Sequence, residues 1–409
     1  MHVLHINTSE QTGGAAIAAS RLVRAINRHG IKAKLLVRDQ QTEEPTTLTI
    51  PAQWGLRCAF LWERARIWMT NGFSRHNLWS VDIACAGSDI THLPAFQEAD
   101  IIHLHWINQG LLSIRQIERI LAIGKPVVWT LHDMWPVTGI CHHAGTCLHY
   151  HTHCHDCPLL RFPSSKDLSW AVFQEKIKAY SRGHITFVGV SRWMTERARQ
   201  SALTQGHALH TIGNALSMDE YVPADRHLAR QSLGIPDGVP VIAFGAARID
   251  LPAKGLQRLL NALDTDVLRQ KRPHLLLFGT CKDAQLWSHI PCTYTYVGEV
   301  HGSKALSRLY SSADVLVNSS DYETFGQTLT EAMACGCTPV SFDCGGQTDI
   351  IRHRENGYLA HAYDINDLSE GILWAISTPL PVHILRQSAA RFSTDTIARQ
   401  YSELYETLL

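Results

Sequence analysis

Neither sign of charge dominates this chain of 409 residues, in which 37 basic side chains face 37 acidic ones and the formal net charge is zero. A nucleic-acid partner, which is met by a field of one sign, is therefore not expected. The sequence also lacks any apolar run near the ~18 residues that a bilayer-crossing helix requires. Its opening, MHVLHINTSEQTGG, has no basic stretch followed by a long apolar core, and reads as a strand and a glycine turn rather than an export signal. The expectation is a cytoplasmic protein whose eleven cysteines stay mostly reduced. Missing too are a GxGxxG fingerprint after the first strand and any close internal repeat. What is present, 45% hydrophobic and 18% charged residues, suits a globular chain of two or three domains.

Apolar strands alternate with helical periodicity in two series. The first has strands predicted at 2–6, 34–37, 100–105, 127–131 and 185–190, with a helix over 15–29 stopped by Gly30. An irregular polar connection around 211–223 precedes the second series, at 239–245, 274–279, 293–297, 314–319 and 338–342. Both halves read as α/β, doubly wound domains. The predicted boundaries are 1–215 with a cysteine-rich insertion at 141–157, then 216–385, then a C-terminal helix over 386–409 packing back toward the first domain.

The chemistry concentrates after the strand 314–319. Glu323 sits in the turn that leaves it, and Thr324 or Thr328 is expected to open a helix that carries Glu331 and stops at Gly336. Both carboxylates then lie at the carboxyl end of a parallel strand, where open α/β sheets bind ligands. Their spacing is too wide for an i,i+4 pair, so each serves a different part of one extended ligand. The backbone N–H groups of Thr324, Phe325 and Gly326 would form an anion cradle between them. Hydroxyls, diphosphate and hydroxyls follow one another in that order in a nucleotide sugar; the alternative is an ordinary loop with surface glutamates. The loop after the strand 239–245 adds Arg248 and Lys254, a guanidinium and an ammonium suited to a diphosphate, or else two solvated cations.

In the first domain, Gly13 and Gly14 follow the opening strand and allow backbone to approach a phosphate or sugar, or merely permit the turn. His132 follows the strand 127–131 and so points into the ligand crevice, whereas His103 and His105 alternate with apolar residues, fit satisfied interior histidines equally well, and rank below His132. Between 54 and 79, Trp54, Phe60, Trp62, Trp68, Phe73 and Trp79 interleave with Arg57, Arg64, Arg66 and Arg75. Apolar positions 54, 58, 61, 65 and 68 have helical spacing. Such a helix either meets an anionic membrane surface or a lipid-linked acceptor, or packs on its own domain with the arginines solvated. Cys141, Cys147, Cys154 and Cys157 share seventeen residues with six histidines. The Cys-x2-Cys pair fits a structural zinc site that staples a loop too polar for a core of its own. The longer spacing between Cys141 and Cys147 leaves disulfides, reduced packing or a catalytic metal as alternatives.

Taken together, Ala247-Arg248, Lys254-Gly255, Phe278-Gly279, Tyr296-Val297-Gly298, Glu323-x7-Glu331, Gly336-Cys337-Thr338-Pro339-Val340 and Gly345-Gly346 resemble the retaining GT-B glycosyltransferases of family 4, over residues 185–409. Gly13-Gly14-Ala15-Ala16 and the segment from Trp129 to Gly139, with the cysteines behind it, look like the branch that makes colanic-acid-type and other bacterial surface polysaccharides. The resemblance implies two Rossmann-like domains facing a cleft, the second holding a UDP- or GDP-linked sugar donor. The first would meet an oligosaccharide or polyprenyl-diphosphate-linked acceptor at the inner face of the cytoplasmic membrane, with 54–79 as the stretch that touches it. Position by position, it implies Arg248 and Lys254 on the donor diphosphate, Glu331 on the ribose hydroxyls, Glu323 and His132 on the transferred sugar, and Gly14 near the phosphate. No cofactor is needed for catalysis in such enzymes, because cations and helix N-termini neutralise the leaving diphosphate. The spacing Arg248-x5-Lys254 is one residue longer than the family's usual x4. A nucleotide-sugar epimerase of the same architecture and a non-catalytic carbohydrate-binding scaffold are the competing readings.

Overall fold

The computed structural model describes residues 1–51 and 53–409. The chain divides into two units, Met1–Gly213 with Ile397–Leu409, and Asn214–Thr396. Each is built on a single all-parallel sheet.

In the first unit the strands are β1 (His2–Ser9), β2 (Lys32–Asp39), β3 (Thr47–Thr49), β4 (Ile101–Leu104), β5 (Val127–Leu131), β6 (Ile185–Gly189) and β7 (Ala208–Thr211). They are ordered β3-β2-β1-β4-β5-β6-β7, and every neighbouring pair is parallel. β4, β5 and β6 are buried at every residue, which is why their sequence reads as near-continuous apolar runs rather than alternation. Each buried Ile, Leu, Val or Phe contributes ~1.5–3 kcal/mol. The edge strands β3 and β7 carry too few apolar residues to give a signal in the sequence.

The second unit contains β8 (Val241–Arg248), β9 (His274–Thr280), β10 (Thr293–Gly298), β11 (Val315–Asn318), β12 (Thr338–Phe342) and β13 (Tyr358–Ala360). Their order is β10-β9-β8-β11-β12-β13, again parallel throughout. The architecture is therefore α/β with two Rossmann-like parallel-sheet domains, as the two series of strands predict. In the first sheet the strand order reverses between β1 and β4, and in the second between β8 and β11. Such switch points open a crevice at the carboxyl ends of the strands.

Three local expectations are corrected. The helix expected to open at Thr324 or Thr328 begins at Gln327 and runs to Ala334, with Gly326 as its N-cap at φ 101. Thr324 and Phe325 thus precede the helix, because a left-handed cap residue has to come before the first helical turn. Arg248 lies not in the loop but at the end of β8, after a register shift between Gly245 and Arg248 that carries the strand further than its apolar run. The third correction concerns the helix Gln53–Thr70, whose periodic apolar stripe faces outward. Trp54, Leu61 and Trp62 are 79%, 64% and 55% exposed, while Leu56 and Ile67 are buried. Its inner face instead buries Glu63 and Arg64. The Glu63 carboxylate accepts the N–H groups of Ile83 and Ala84 at 2.7 and 2.6 Å, and Arg64 is paired with Asp82. Periodicity alone reverses the helix because these polar partners lie about twenty residues away. Among the described residues no helix is long and apolar enough to cross a membrane.

Candidate functional site

The two loops that leave the β8/β11 switch point are tied together by backbone. Asp321 N–H donates to the Ala253 carbonyl at 2.9 Å, and the Ser319 hydroxyl to the Gly255 carbonyl at 2.8 Å. Gly255 has φ +72, and a Cβ there would lie 1.8 Å from the Ser319 carbonyl oxygen. Only glycine permits this approach, and its consequence is immediate. Lys254 Nζ reaches Glu323 Oε1 at 2.8 Å, where the Ser320 hydroxyl also donates at 2.9 Å. The Glu323 backbone is fixed as well, since its carbonyl accepts from Gly346 N–H at 2.7 Å. A side chain at Gly345 would strike that same carbonyl at 2.4 Å.

Burial works against the charge on both partners, and their mutual attraction overrides it. Lys254 is raised above the ordinary lysine value by the Glu323 carboxylate, and Glu323 is lowered by Lys254 and the Ser320 hydroxyl. Both are therefore ionised at neutral pH, an ammonium and a carboxylate waiting at a strand tip.

The other expected residues of this unit divide around that pair. Arg248 is not drawn to it. Both its Nε and Nη2 bind the Asp250 carboxylate, at 2.9 and 2.8 Å, and these bonds hold Asp250 down to about 2. Glu331 is buried in the helix Gln327–Ala334 and accepts the Tyr310 hydroxyl at 3.1 Å. Phe325 is buried edge-on against Phe392, with ring centroids 5.1 Å apart, while Thr324 is half-buried before the Gly326 cap. Sequence reading missed Asp250 and the positioning role of Gly255. The signal for the second was a glycine directly after a loop lysine, but its partner carbonyl lies 64 residues on.

In the first unit, Gly14 opens the helix Gly14–Arg28 after Gly13, whose φ of 90 excludes most side chains, at the β1/β4 switch point. His132 follows β5 and joins a line of imidazoles. Its Nε2 lies 2.9 Å from His105 Nδ1, and His105 Nε2 lies 3.0 Å from His5 Nδ1. Burial lowers His132 to about 4 and His5 to about 3, so the line is neutral and each ring passes one N–H to the next. His103 is the satisfied interior histidine, bonded to the Tyr405 hydroxyl at 2.6 Å and the Thr130 hydroxyl at 2.8 Å.

Beside His132, Asp133 accepts from His142 Nδ1 at 2.7 Å and from the Trp106 indole at 2.8 Å, while His142 Nε2 meets Asp82 at 2.7 Å. Burial opposes a charge on His142, but the Asp133 and Asp82 carboxylates hold it up to about 10. His142 belongs to the cysteine-rich segment, whose Cys141, Cys147, Cys154 and Cys157 are all unbridged. The four cysteines line one small void.

Residues 239–378 match the family described as "Glycosyl transferases group 1". That stretch lies wholly inside the second unit and contains Arg248, Lys254, Glu323 and Glu331. Over 153 residues the chain is 33% identical to a GDP-mannose-dependent alpha-mannosyltransferase of Mycolicibacterium smegmatis, covering 37% of this chain and 38% of that one. The chain thus spans about two fifths of the curated relatives it matches first. Over almost the full length, 98% of this chain and 93% of the other, it is 23% identical to a D-inositol 3-phosphate glycosyltransferase of Saccharomonospora viridis. Among solved structures it is similar to a sucrose-phosphate synthase of Thermosynechococcus elongatus, with a TM-score of 0.70 at 19% identity over 100% and 98% of the two chains. The fold is GT-B.

Proposed function

We propose that this GT-B protein transfers a sugar from a nucleotide-diphosphate donor to a hydroxyl of a lipid-linked oligosaccharide, with retained anomeric configuration, in the building of a bacterial surface polysaccharide. The observation that carries the reading is the Lys254–Glu323 pair, 2.8 Å apart at the switch point of the unit that matches the group 1 glycosyl transferases. The relative named GDP-mannose-dependent supports a nucleotide-sugar donor.

In this mechanism Lys254 stabilises the diphosphate as the bond from its oxygen to the anomeric carbon breaks, with Arg248 as the second cation once it exchanges Asp250 for phosphate. The acceptor oxygen bonds the same carbon from the same face. Its proton passes to the departing phosphate oxygen, so no separate protein base is consumed. Glu323 holds hydroxyls of the transferred sugar and Glu331 the ribose hydroxyls. The N–H groups of Thr324, Phe325 and Gly326 line the phosphates between them. In the first unit, Gly14 offers a helix N-terminus to phosphate, and His132 offers a neutral imidazole to a sugar hydroxyl.

The outward stripe of the helix Gln53–Thr70 supports an acceptor presented at a membrane. Trp68, Met69, Phe73 and Trp79 extend the exposed apolar face, and Arg57, Arg66 and Arg75 are exposed with it. Aromatic anchors with arginines at their flanks suit an anionic lipid surface, each cation adding ~1 kcal/mol.

The test is product formation from UDP- and GDP-linked sugars in the presence of a lipid-linked acceptor, in wild type and Lys254→Ala. Acceptor-dependent product whose rate falls by roughly 10² or more in the variant is expected, as for the loss of one electrostatic donor. Donor consumption without acceptor would favour the epimerase, and nucleotide binding without turnover the scaffold.

A further inference from the structure

We propose that Cys141, Cys147, Cys154 and Cys157 hold one structural zinc ion as a tetrathiolate, and that Lys176, buried beneath the same loop, is the counter-cation of that centre. The four cysteines lie in a segment with no strand and one three-residue helical turn, His149–His151. They converge on one void of about 20 Å³, room for a single water or ion. None is bridged to another. The sulfurs are more widely spread around the void than in a closed site, because among the described residues only His5, His103 and His105 bring three ligand atoms all within 4.8 Å. That histidine set is a poorer candidate, since both nitrogens of His103 and of His105 are already hydrogen-bonded and only His5 Nε2 lacks a partner.

The surroundings of the cysteines are those of a metal knuckle. Gly139 N–H donates to Cys154 Sγ at 3.2 Å, and Leu159 N–H donates to the Cys157 thiol. Backbone N–H groups aimed at sulfur favour thiolate over thiol and orient it toward an ion. Asp156, inside the Cys-x2-Cys turn, adopts φ 43, a left-handed residue that reverses the backbone between the two cysteines. The knuckle is anchored from outside too, since Asp167, which caps the helix Leu168–Tyr180, accepts Cys157 N–H at 2.7 Å.

Lys176 supplies the independent observation. It is 0% exposed, and its Nζ donates to the carbonyls of Trp135, at 2.5 Å, and Thr138, at 2.9 Å, while lying 3.4 Å above the Trp135 ring. Among the described residues no carboxylate is within ion-pair distance of it. Burial opposes the charge on Lys176, and the groups that favour it are Cys154, Cys141, Asp133 and Asp82. Zinc with four thiolates carries a net charge of −2, and Thr138, whose carbonyl holds Lys176, also binds the Cys141 carbonyl through its hydroxyl at 2.6 Å. The centre and the cation are thus two halves of one charge balance. Zinc enters with release of the thiol protons to solvent, and no oxidant or reductant takes part.

Elemental analysis of the purified full chain decides the matter, combined with cobalt(II) exchange. One zinc per chain is expected, and the cobalt form should show the intense visible absorption and sulfur-to-metal charge transfer of a tetrahedral tetrathiolate. Cys154→Ser should lose the metal. Because that variant can misfold, Lys176→Met is the second probe: it should stay folded, keep the cobalt spectrum and release zinc to a chelator about 10-fold faster or more, as when an outer partner of a site is removed. Metal-free wild type that is folded, a mass deficit showing disulfides among the four cysteines, or a cobalt spectrum without sulfur ligation would each overturn the zinc site. Unchanged zinc release from Lys176→Met would overturn the role of the lysine alone.

Discussion

Replacing Gly255 by alanine should disable the second unit's site through the backbone that places Lys254. At φ +72 an alanine is strained by ~1–2 kcal/mol. Its Cβ would also sit 1.8 Å from the Ser319 carbonyl oxygen, a backbone atom that cannot swing away. Relief requires the two loops to part, which weakens the Ser319 hydroxyl bond to Gly255 and the Asp321 N–H bond to Ala253. Each is worth ~0.5–1.5 kcal/mol. The total is roughly 2–5 kcal/mol, and at ~2–4 °C per kcal/mol for a domain of this size the second unit's melting transition should fall by roughly 5–20 °C. Gly234→Ala is the matched control, because Gly234 has φ +66 but open space around its Cβ position. Calorimetry on both variants separates the cost of the dihedral, common to both, from the cost of the clash. Activity adds a second readout: at a temperature where Gly255→Ala is folded, turnover should drop because Lys254 has moved from its 2.8 Å contact with Glu323. Equal melting temperatures for the two variants would refute the close approach as the device that places Lys254.

Glu331→Gln should raise the donor KM by roughly 10-fold or more with little change in kcat, the size expected when a charged hydrogen bond to a hydroxyl is lost; an unchanged KM removes Glu331 from the ribose role. His142 is held up to about 10 in the folded state, against an ordinary value near ~6.5, so its contribution is full below ~6.5 and fades as pH rises toward about 10. Urea unfolding followed by tryptophan fluorescence should therefore show stability falling between about pH 7 and pH 10, with a shallower fall in His142→Gln; identical slopes would show that the Asp133 and Asp82 contacts do not hold the proton. Arg57→Gln with Arg66→Gln should weaken binding to anionic vesicles by roughly 30-fold, from ~1 kcal/mol per cation, and leave binding to neutral vesicles little altered. Equal sedimentation of wild type with both kinds of vesicle would separate the outward apolar stripe from any charged lipid surface.

Apolar runs at 127–131, 185–190 and 274–279 revealed buried parallel strands because a strand covered on both faces leaves no alternation to misread. β3, β7 and β13 were silent, being only 3, 4 and 3 residues long. The helix Gln53–Thr70 was visible as a helix but not as to which face is inner. That choice depends on whether Glu63 and Arg64 find partners, and Asp82, Ile83 and Ala84 supply them only after the chain has folded. The carboxylates and cations of the second unit were nameable because their place at strand ends follows from local order. Their pairing was not: Lys254 meets Glu323 across 69 residues, and Arg248 turns to Asp250 two residues away, a local partner that sequence reading passed over.

The first unit is not continuous along the chain, since Ile397–Leu409 belongs to it although Asn214–Thr396 intervenes. During synthesis its sheet leaves the ribosome well before the helix Thr394–Glu406 that supplies Tyr401 and Tyr405. At ~5–20 residues per second, the intervening stretch of about 180 residues takes roughly 10–40 s to make. For that interval Thr130 and His103 lack the two phenols, and the surface that the helix covers is open to chaperones. The second unit, continuous in sequence, can finish folding first. Maturation of this protein should then run against its numbering, with the later-made unit completing its core while the earlier-made one waits for its last helix.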